Sequence, residues 1–230
     1  IMADNVAVTS GCNQAFCAAI SSIATAGDKI ILPVPWYFNH EMWLSMQGII
    51  PIPLPTNENL LPCIKSAKAL IDDKVKAIVL VTPNNPTGVE YPDNLLKQLI
   101  SLAKKNKIKL ILDETYKNFR QGVSRPHSLF KNKWEGHLIH LYSFSKVYRL
   151  TGHRVGMLIA SRKLIKEIEK FLDTTSICPN RLAQKAALFG LKNLNTFVEK
   201  EKSKIERIKE IFKDGIKKIP GWKLLGIGGY

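Results

Sequence analysis

Short apolar runs rich in β-branched residues recur along the chain, and most are followed by a stretch with apolar positions three and four residues apart. The runs at residues 6–9, 29–32, 49–54, 76–81, 108–112, 138–142 and 155–160 predict strands. The intervening spacing predicts helices over 14–24, ended by Gly27-Asp28, over 42–46, and over 60–72 on Leu61, Ile64, Ala67 and Ile71. Further helices are predicted over 92–106, with Pro92 in the first turn, over 162–172, and from Arg181 almost to Ile219 with a break between Gly190 and Asn195. Pro51 and Pro53 put the run at 49–54 on a sheet edge. Residues 116–136 read as a loop, and 220–230 as a turn and the first strand of a further unit. Strand and helix alternate, so the expected class is α/β with a mainly parallel sheet. The break near residue 190 divides it into a first domain, 1–190, and the start of a second, 191–230.

The polar residues that interrupt this pattern fall where the strands end. Gly11, Tyr37, Asn85, Asp113 and Lys146 each lie just past the C-terminal end of a different predicted strand, hence on one edge of a parallel sheet. Open α/β sheets bind ligands at that edge. Ser10-Gly11-Cys12-Asn13 is a tight turn opening a helix, which offers free backbone N–H groups to an anion or is an ordinary strand-to-helix turn. Trp36, Tyr37 and Phe38 follow Pro33 and Pro35 and either present a flat face to a ligand or cap the core. In Thr82-Pro-Asn-Asn-Pro-Thr-Gly88 an asparagine held by Pro86 could hydrogen-bond a ligand oxygen. Asp113 is a helix N-cap or a carboxylate that needs a cation or hydrogen bonds to be tolerated at a strand end. Lys146 is a solvated surface lysine or a desolvated amine suited to forming a Schiff base with a carbonyl. Arg154 would offer a planar fork to a phosphate, with the hydroxyls of Ser143 and Ser145 nearby.

Composition narrows the classes. With 230 residues, 45% of them hydrophobic, the chain can bury one sizeable core or one core and part of another. No apolar run has the length of a membrane span. The start at Ile1 shows no signal-peptide pattern, and a natural beginning upstream is expected. The four cysteines, Cys12, Cys17, Cys63 and Cys178, form no CxxC pair and no metal-ligand spacing. They read as free thiols in a reducing compartment, which points to the cytoplasm and to no metal site. A net charge of +15 raises the question of nucleic acid. The lysines, however, are spread along amphipathic helices, as at Lys200, Lys204, Lys209 and Lys213 around Ile205, Ile208 and Phe212, which is a solvated helix face rather than a nucleic-acid surface.

Taken in order, TSGCNQA, GDKIILPVPWY, TPNNPTG, DETY and SFSKVYRLTGHRVG resemble the motifs of the fold-type I pyridoxal-phosphate enzymes, specifically the class I/II aminotransferases of the aspartate aminotransferase superfamily. The resemblance spans most of residues 9–156. It implies a three-layer α/β/α cofactor-binding domain followed by the start of a small α+β domain. It also implies an enzyme that moves an amino group between an L-amino acid and a 2-oxo acid, with pyridoxal 5′-phosphate as cofactor and a homodimeric assembly.

Residue by residue, the resemblance implies that Lys146 forms the Schiff base with the cofactor and later carries the proton to and from the substrate Cα. Asp113 would pair with the pyridine nitrogen, and Tyr116 and Asn85 would hydrogen-bond the ring's phenolic oxygen. Tyr37 and Thr115 would contact the two ring faces. Gly11, Cys12 and Asn13, with Ser143, Ser145 and Arg154, would hold the phosphate. The family also carries an arginine for the substrate carboxylate and an N-terminal cover, both expected outside these residues. Enzymes of the same fold that share these motifs include carbon–sulfur lyases and synthases. The ligand-sensing domain of a bacterial transcription regulator that retains the aminotransferase fold is another alternative, and a protein with no cofactor, in which Lys146 is merely a surface lysine, is a third.

Overall fold

The computed structural model describes residues 1–120, 127–131 and 134–228. Seven strands form one sheet: β1 (Val6–Thr9), β2 (Lys29–Pro33), β3 (Ile50–Leu54), β4 (Val75–Val81), β5 (Lys109–Asp113), β6 (Leu138–Ser143) and β7 (Gly156–Ile159). Their order across the sheet is β1-β7-β6-β5-β4-β2-β3. All neighbours are parallel except β7, which runs antiparallel to both β1 and β6. The helices are α1 (Cys12–Ser21), α2 (Phe38–Met46), α3 (Ile64–Ala69), α4 (Asp93–Lys105), α5 (Arg162–Thr175), α6 (Arg181–Asn193) and α7 (Asn195–Lys217).

The two-residue period of the central strands sorts their side chains into two cores. Ala77 and Val79 of β4 and Ile111 of β5 join Phe16, Ala19 and Ile20 of α1 and Ile165, Ile168 and Leu172 of α5 on one face. Ile78 and Leu80, with Leu110 and Leu112, face Ala67 of α3 and Leu96, Leu99 and Ala103 of α4 on the other. Both faces are covered, so the central strands read as unbroken apolar runs instead of alternating ones. Prolines at 51 and 53 remove two N–H donors from the same side of β3, and β3 is the outer strand next to β2.

Two expectations are corrected. The helix expected over 60–72 shrinks to α3, because Asn57 captures the chain ahead of it. Its Oδ1 accepts from the N–H groups of Asn59 (2.9 Å) and Leu61 (3.0 Å), and Leu60 sits at φ 59°. The break expected between Gly190 and Asn195 falls at Leu194, and Gly190 itself lies within α6, where a Cβ would come within 2.7 Å of the Tyr148 ring. Residues 222–228 form no strand, since no sheet edge among the described residues pairs with them; 229–230 lie outside the described residues. Part of the predicted loop 116–136 also lies outside them, and a short 3-10 turn, Lys117–Phe119, is found in the rest. No helix among the described residues is long and apolar enough to cross a membrane.

Register carries the strand ends to a common line. Val81 is level with Asp113, and Asp113 with Leu141, while Thr9 and Ser143 both pair with Gly156. Ile78 is fully buried on β4. Its replacement by Ala is expected to lower the unfolding free energy by about 2–5 kcal/mol, whereas Ala at the exposed Val8 should change it by less than about 1 kcal/mol. Denaturant unfolding of the two variants checks this.

Candidate active site

The crevice at that sheet edge, of about 170 Å³, is lined by eleven of the residues expected from sequence, together with Val81. β1 and α1 bring Cys12 and Asn13, the loop after β2 brings Tyr37, and the loop after β4 brings Asn85. Asp113 ends β5, and Thr115 and Tyr116 follow it. Ser143, Ser145 and Lys146 come from the end of β6, and Arg154 from just before β7. Gly11, the twelfth, stands behind Arg154: a Cβ there would lie 2.4 Å from the guanidinium.

The reversal of β7 is what puts Arg154 at this edge. A parallel strand would begin at the opposite edge. Gly156 pairs with Thr9 on one side and Ser143 on the other. A Cβ on Gly156 would lie 2.6 Å from the Gly11 carbonyl carbon and 2.7 Å from the Cys12 nitrogen. Gly11 itself has φ 86°, a conformation that favours glycine. Its turn is closed by its own N–H donating to the Thr9 carbonyl (2.8 Å) and by the Thr9 hydroxyl donating to the Gly11 carbonyl (2.9 Å). Gln14 then ties the start of α1 down: its Oε1 accepts from the Ser10 N–H, and its Nε2 donates to Thr175 and Ser176 at the end of α5. The N-terminal amides of a ten-residue helix, an arginine and two serines thus converge in one corner. The Ser145 N–H donates to Ser143 Oγ (3.1 Å), which sets the β6 end of that corner. Such a corner suits a dianionic phosphate.

At the centre of the crevice Asp113 is almost fully buried. Burial alone would push its carboxyl up. His40, with Nε2 3.6 Å from Oδ2, and Thr115, whose N–H donates to Oδ1 at 2.9 Å, outweigh it and hold the group below the usual carboxylate range. The Cys12 thiol contacts the same Oδ2 at 3.6 Å and is pushed up, by burial first and then by Asp113. A buried anion aimed into a crevice matches a cationic heteroaromatic nitrogen. Burial, and then Asp113, likewise push the Tyr116 phenol up, against a hydrogen bond with Asn85. Tyr37 is raised by burial, against a bond from Asn39 Nδ2 (2.8 Å). The Lys146 amine stands 5.6 Å from the Tyr116 ring centre and makes no ion pair among the described residues. Anion corner, buried carboxylate and amine-bearing lysine together fit a phosphorylated pyridine aldehyde.

The sequence did not single out His40. It sits one helical turn after Tyr37 on α2, stacked on Phe16 with ring centres 3.9 Å apart. The i, i+3 spacing of Tyr37 and His40 was visible, but its partner Asp113 lies far along the chain. Glu114 lies within the DETY stretch, which assigns it no role of its own. It points to the opposite face of the sheet end, where His127 and His140 each place Nε2 3.0 Å from its Oε2. Burial would raise its carboxyl, and the two imidazoles outweigh that, leaving it far below the usual range. Among the described residues no group of His, Cys, Asp and Glu could hold a metal ion.

Because the native pKa of Glu114 is depressed, its contribution to stability is present above about pH 4.5 and is lost as pH falls through the native value. Burial first of all depresses His140 as well, against the Glu114 contact; its neutral form favours the fold, so acidification below about pH 6.5 removes stability there too. Glu114→Gln should be less stable at pH 7 by about 3–5 kcal/mol and show a flatter loss below pH 4.5 than the parent. Urea midpoints measured from pH 3 to pH 7 test both statements.

The family model described as aminotransferase class I and II matches residues 1–228. Aspartate aminotransferase of Thermotoga maritima is 31% identical over 218 residues, covering 92% of this chain and 58% of that protein. An aromatic aminotransferase of Arabidopsis thaliana is 27% identical over 222 residues, covering 93% and 55%. The solved structure of a Thermus thermophilus aspartate aminotransferase single mutant superposes with a TM-score of 0.93 at 25% identity, over 100% of this chain and 61% of that one. The chain therefore spans less than two thirds of the length of the relatives it matches.

Proposed function

The chain belongs to the class I and II aminotransferase family, and on that premise we propose that the protein is a pyridoxal-phosphate-dependent aminotransferase acting on an L-amino acid and a 2-oxo acid. The observation that carries this reading is the convergence of Lys146, the buried Asp113 carboxylate and the Gly11–Arg154 anion corner on one sheet edge. We propose further that the whole protein works as a cytoplasmic homodimer. In this reading residues 1–190 form the cofactor-holding domain and 191–230 open a second one, a division supported by the helix break at Leu194. The lyase and regulator readings gain nothing from relatives that are named as aminotransferases.

Bound pyridoxal phosphate supplies an electron sink for a carbanion at the substrate Cα, which no side chain of the protein could provide. Lys146 would supply the amine to the cofactor's aldehyde carbon and, as a free amine, would carry the proton between the substrate Cα and that aldehyde carbon. That requires an amine free of a carboxylate partner, as Lys146 is among the described residues. Asp113, kept ionised by His40 and Thr115, holds a proton on the ring nitrogen. Asn85 and Tyr116 would hydrogen-bond the ring's phenolic oxygen, while Tyr37 and Thr115 flank the ring. Gly11, Cys12 and Asn13, with Ser143, Ser145 and Arg154, would anchor the phosphate, and that anchoring fixes the ring so that proton transfer is directional. The net charge of +15 favours the approach of anionic substrates without specifying them.

Borohydride reduction of the full-length, cofactor-loaded protein followed by peptide mapping should label Lys146; a label on another lysine would remove it from this role. Asp113→Ala should still be labelled at Lys146, while Cα–H exchange of a bound amino acid slows by about 10²-fold or more. Exchange at the parental rate would contradict the role given to the carboxylate. Turnover that depends on a 2-oxo acid acceptor separates transamination from elimination.

A further inference from the structure

Arg120 lies outside the crevice and is 7% exposed, yet its guanidinium reaches both loops that deliver Asn85 and Tyr116. Nε donates to Glu90 Oε2 at 3.2 Å, and one terminal nitrogen donates to the Tyr91 carbonyl at 3.4 Å. Both partners belong to the segment 82–91 that carries Asn85. The other terminal nitrogen faces Glu114 Oε1 at 3.8 Å, in the turn that carries Tyr116. Glu114 is itself immobilised by His127 and His140, and its N–H donates to the Leu141 carbonyl at the end of β6.

The segment 82–91 is closed by its own hydrogen bonds. Asn84 N–H donates to the Val89 carbonyl, Gly88 N–H to the Asn84 carbonyl, and Tyr91 N–H to Thr82 Oγ1. Its direct backbone tie to the neighbouring turn is at its base, where Thr82 N–H donates to the Asp113 carbonyl (2.9 Å). Arg120 supplies a second tie on the returning arm, where Tyr91 closes the segment back onto Thr82. One tie on each arm of the loop's base restrains its rotation as well as its position, and Asn85 of the loop meets Tyr116 of the turn through a hydrogen bond. The planar guanidinium donates to Glu90 and to the Tyr91 carbonyl while its remaining nitrogen holds its charge 3.8 Å from Glu114 without a hydrogen bond; an ammonium, whose donors all sit on one atom, lacks that spread.

We propose that Arg120 is a positioning residue that clamps the Asn85 loop to the Glu114–Tyr116 turn and thereby sets the Asn85–Tyr116 pair. That the pair acts on a cofactor rests on the proposed function, whereas the clamp itself does not. Amide hydrogen exchange of the full-length protein without cofactor tests the clamp. Arg120→Lys and, from the other end, Glu90→Gln on a partly exposed residue that leaves the core intact, should each speed exchange about tenfold in residues 84–91 and 114–120. Strands β4 and β5 should keep their protection. Unchanged exchange in both segments, or an equal rise throughout the chain, would overturn the proposal.

In the cofactor-loaded protein the pH midpoint of the visible absorbance should move by about one unit in Arg120→Lys, the shift that corresponds to a tenfold change in the pair's preference for one protonation state. In a protein that already carries Asn85→Ala, adding Arg120→Lys should leave the midpoint where Asn85→Ala alone puts it. A midpoint that stays at the parental value, or moves equally in the Asn85→Ala background, overturns the positioning role. Failure of the parent to bind pyridoxal phosphate overturns the proposed function, and exchange then decides the clamp alone.

Discussion

Everything at the active edge depends on how closely two backbones approach at Gly156. The first residue of β7 packs against the turn between β1 and α1 at a distance that admits no side chain. That contact sets the Gly11 turn beside Arg154 and the start of α1 beside the end of β6. Any side chain at 156 would push β7 from the turn and separate the groups that make the anion corner. The corner is therefore built by a steric requirement at a position that touches no ligand. Gly11 has a second requirement of the same kind, since both its positive φ and the guanidinium against it leave no room for a Cβ.

Behind that edge the protein buries charge on both faces of one strand end. Asp113 and Glu114 are consecutive, so the pleat sends them to opposite sides. Asp113 meets His40 and Cys12 on the α1 face; Glu114 meets His127, His140 and Arg120 on the α4 face. Burial of each carboxylate is unfavourable by itself and is offset by several polar contacts. The two networks differ in what they leave open. The first presents its anion to the crevice, while the second is closed among side chains and reaches the site only through the loops it holds.

The large positive charge settles differently from what its size suggests. Along α7, Lys204, Lys209, Lys213 and Lys217 each pair with an acidic residue three positions earlier. Those pairs sit on a helix with Ile208, Ile211 and Phe212 exposed beside them. Local pairing keeps these lysines in the helix's own charge pattern, but Lys209, expected on the solvated face, is buried, because it packs inward with its partner Glu206.

Sequence alone determined the strands, because a buried parallel strand must be apolar throughout and 76–81 and 108–112 could be little else. It also determined that the polar residues gather at one edge, since a right-handed crossover returns each parallel strand in the same direction. Local chemistry misled at 60–72, where apolar spacing promised a helix and the Asn57 side chain instead took the backbone N–H groups. The reversal of β7 had no local signal, as a four-residue strand has the same pattern in either direction. His40 against Asp113, and Arg120 between Glu90 and Glu114, were invisible for a related reason. Each is a side chain whose partner is distant in sequence, and only the packed sheet brings the two within bonding distance.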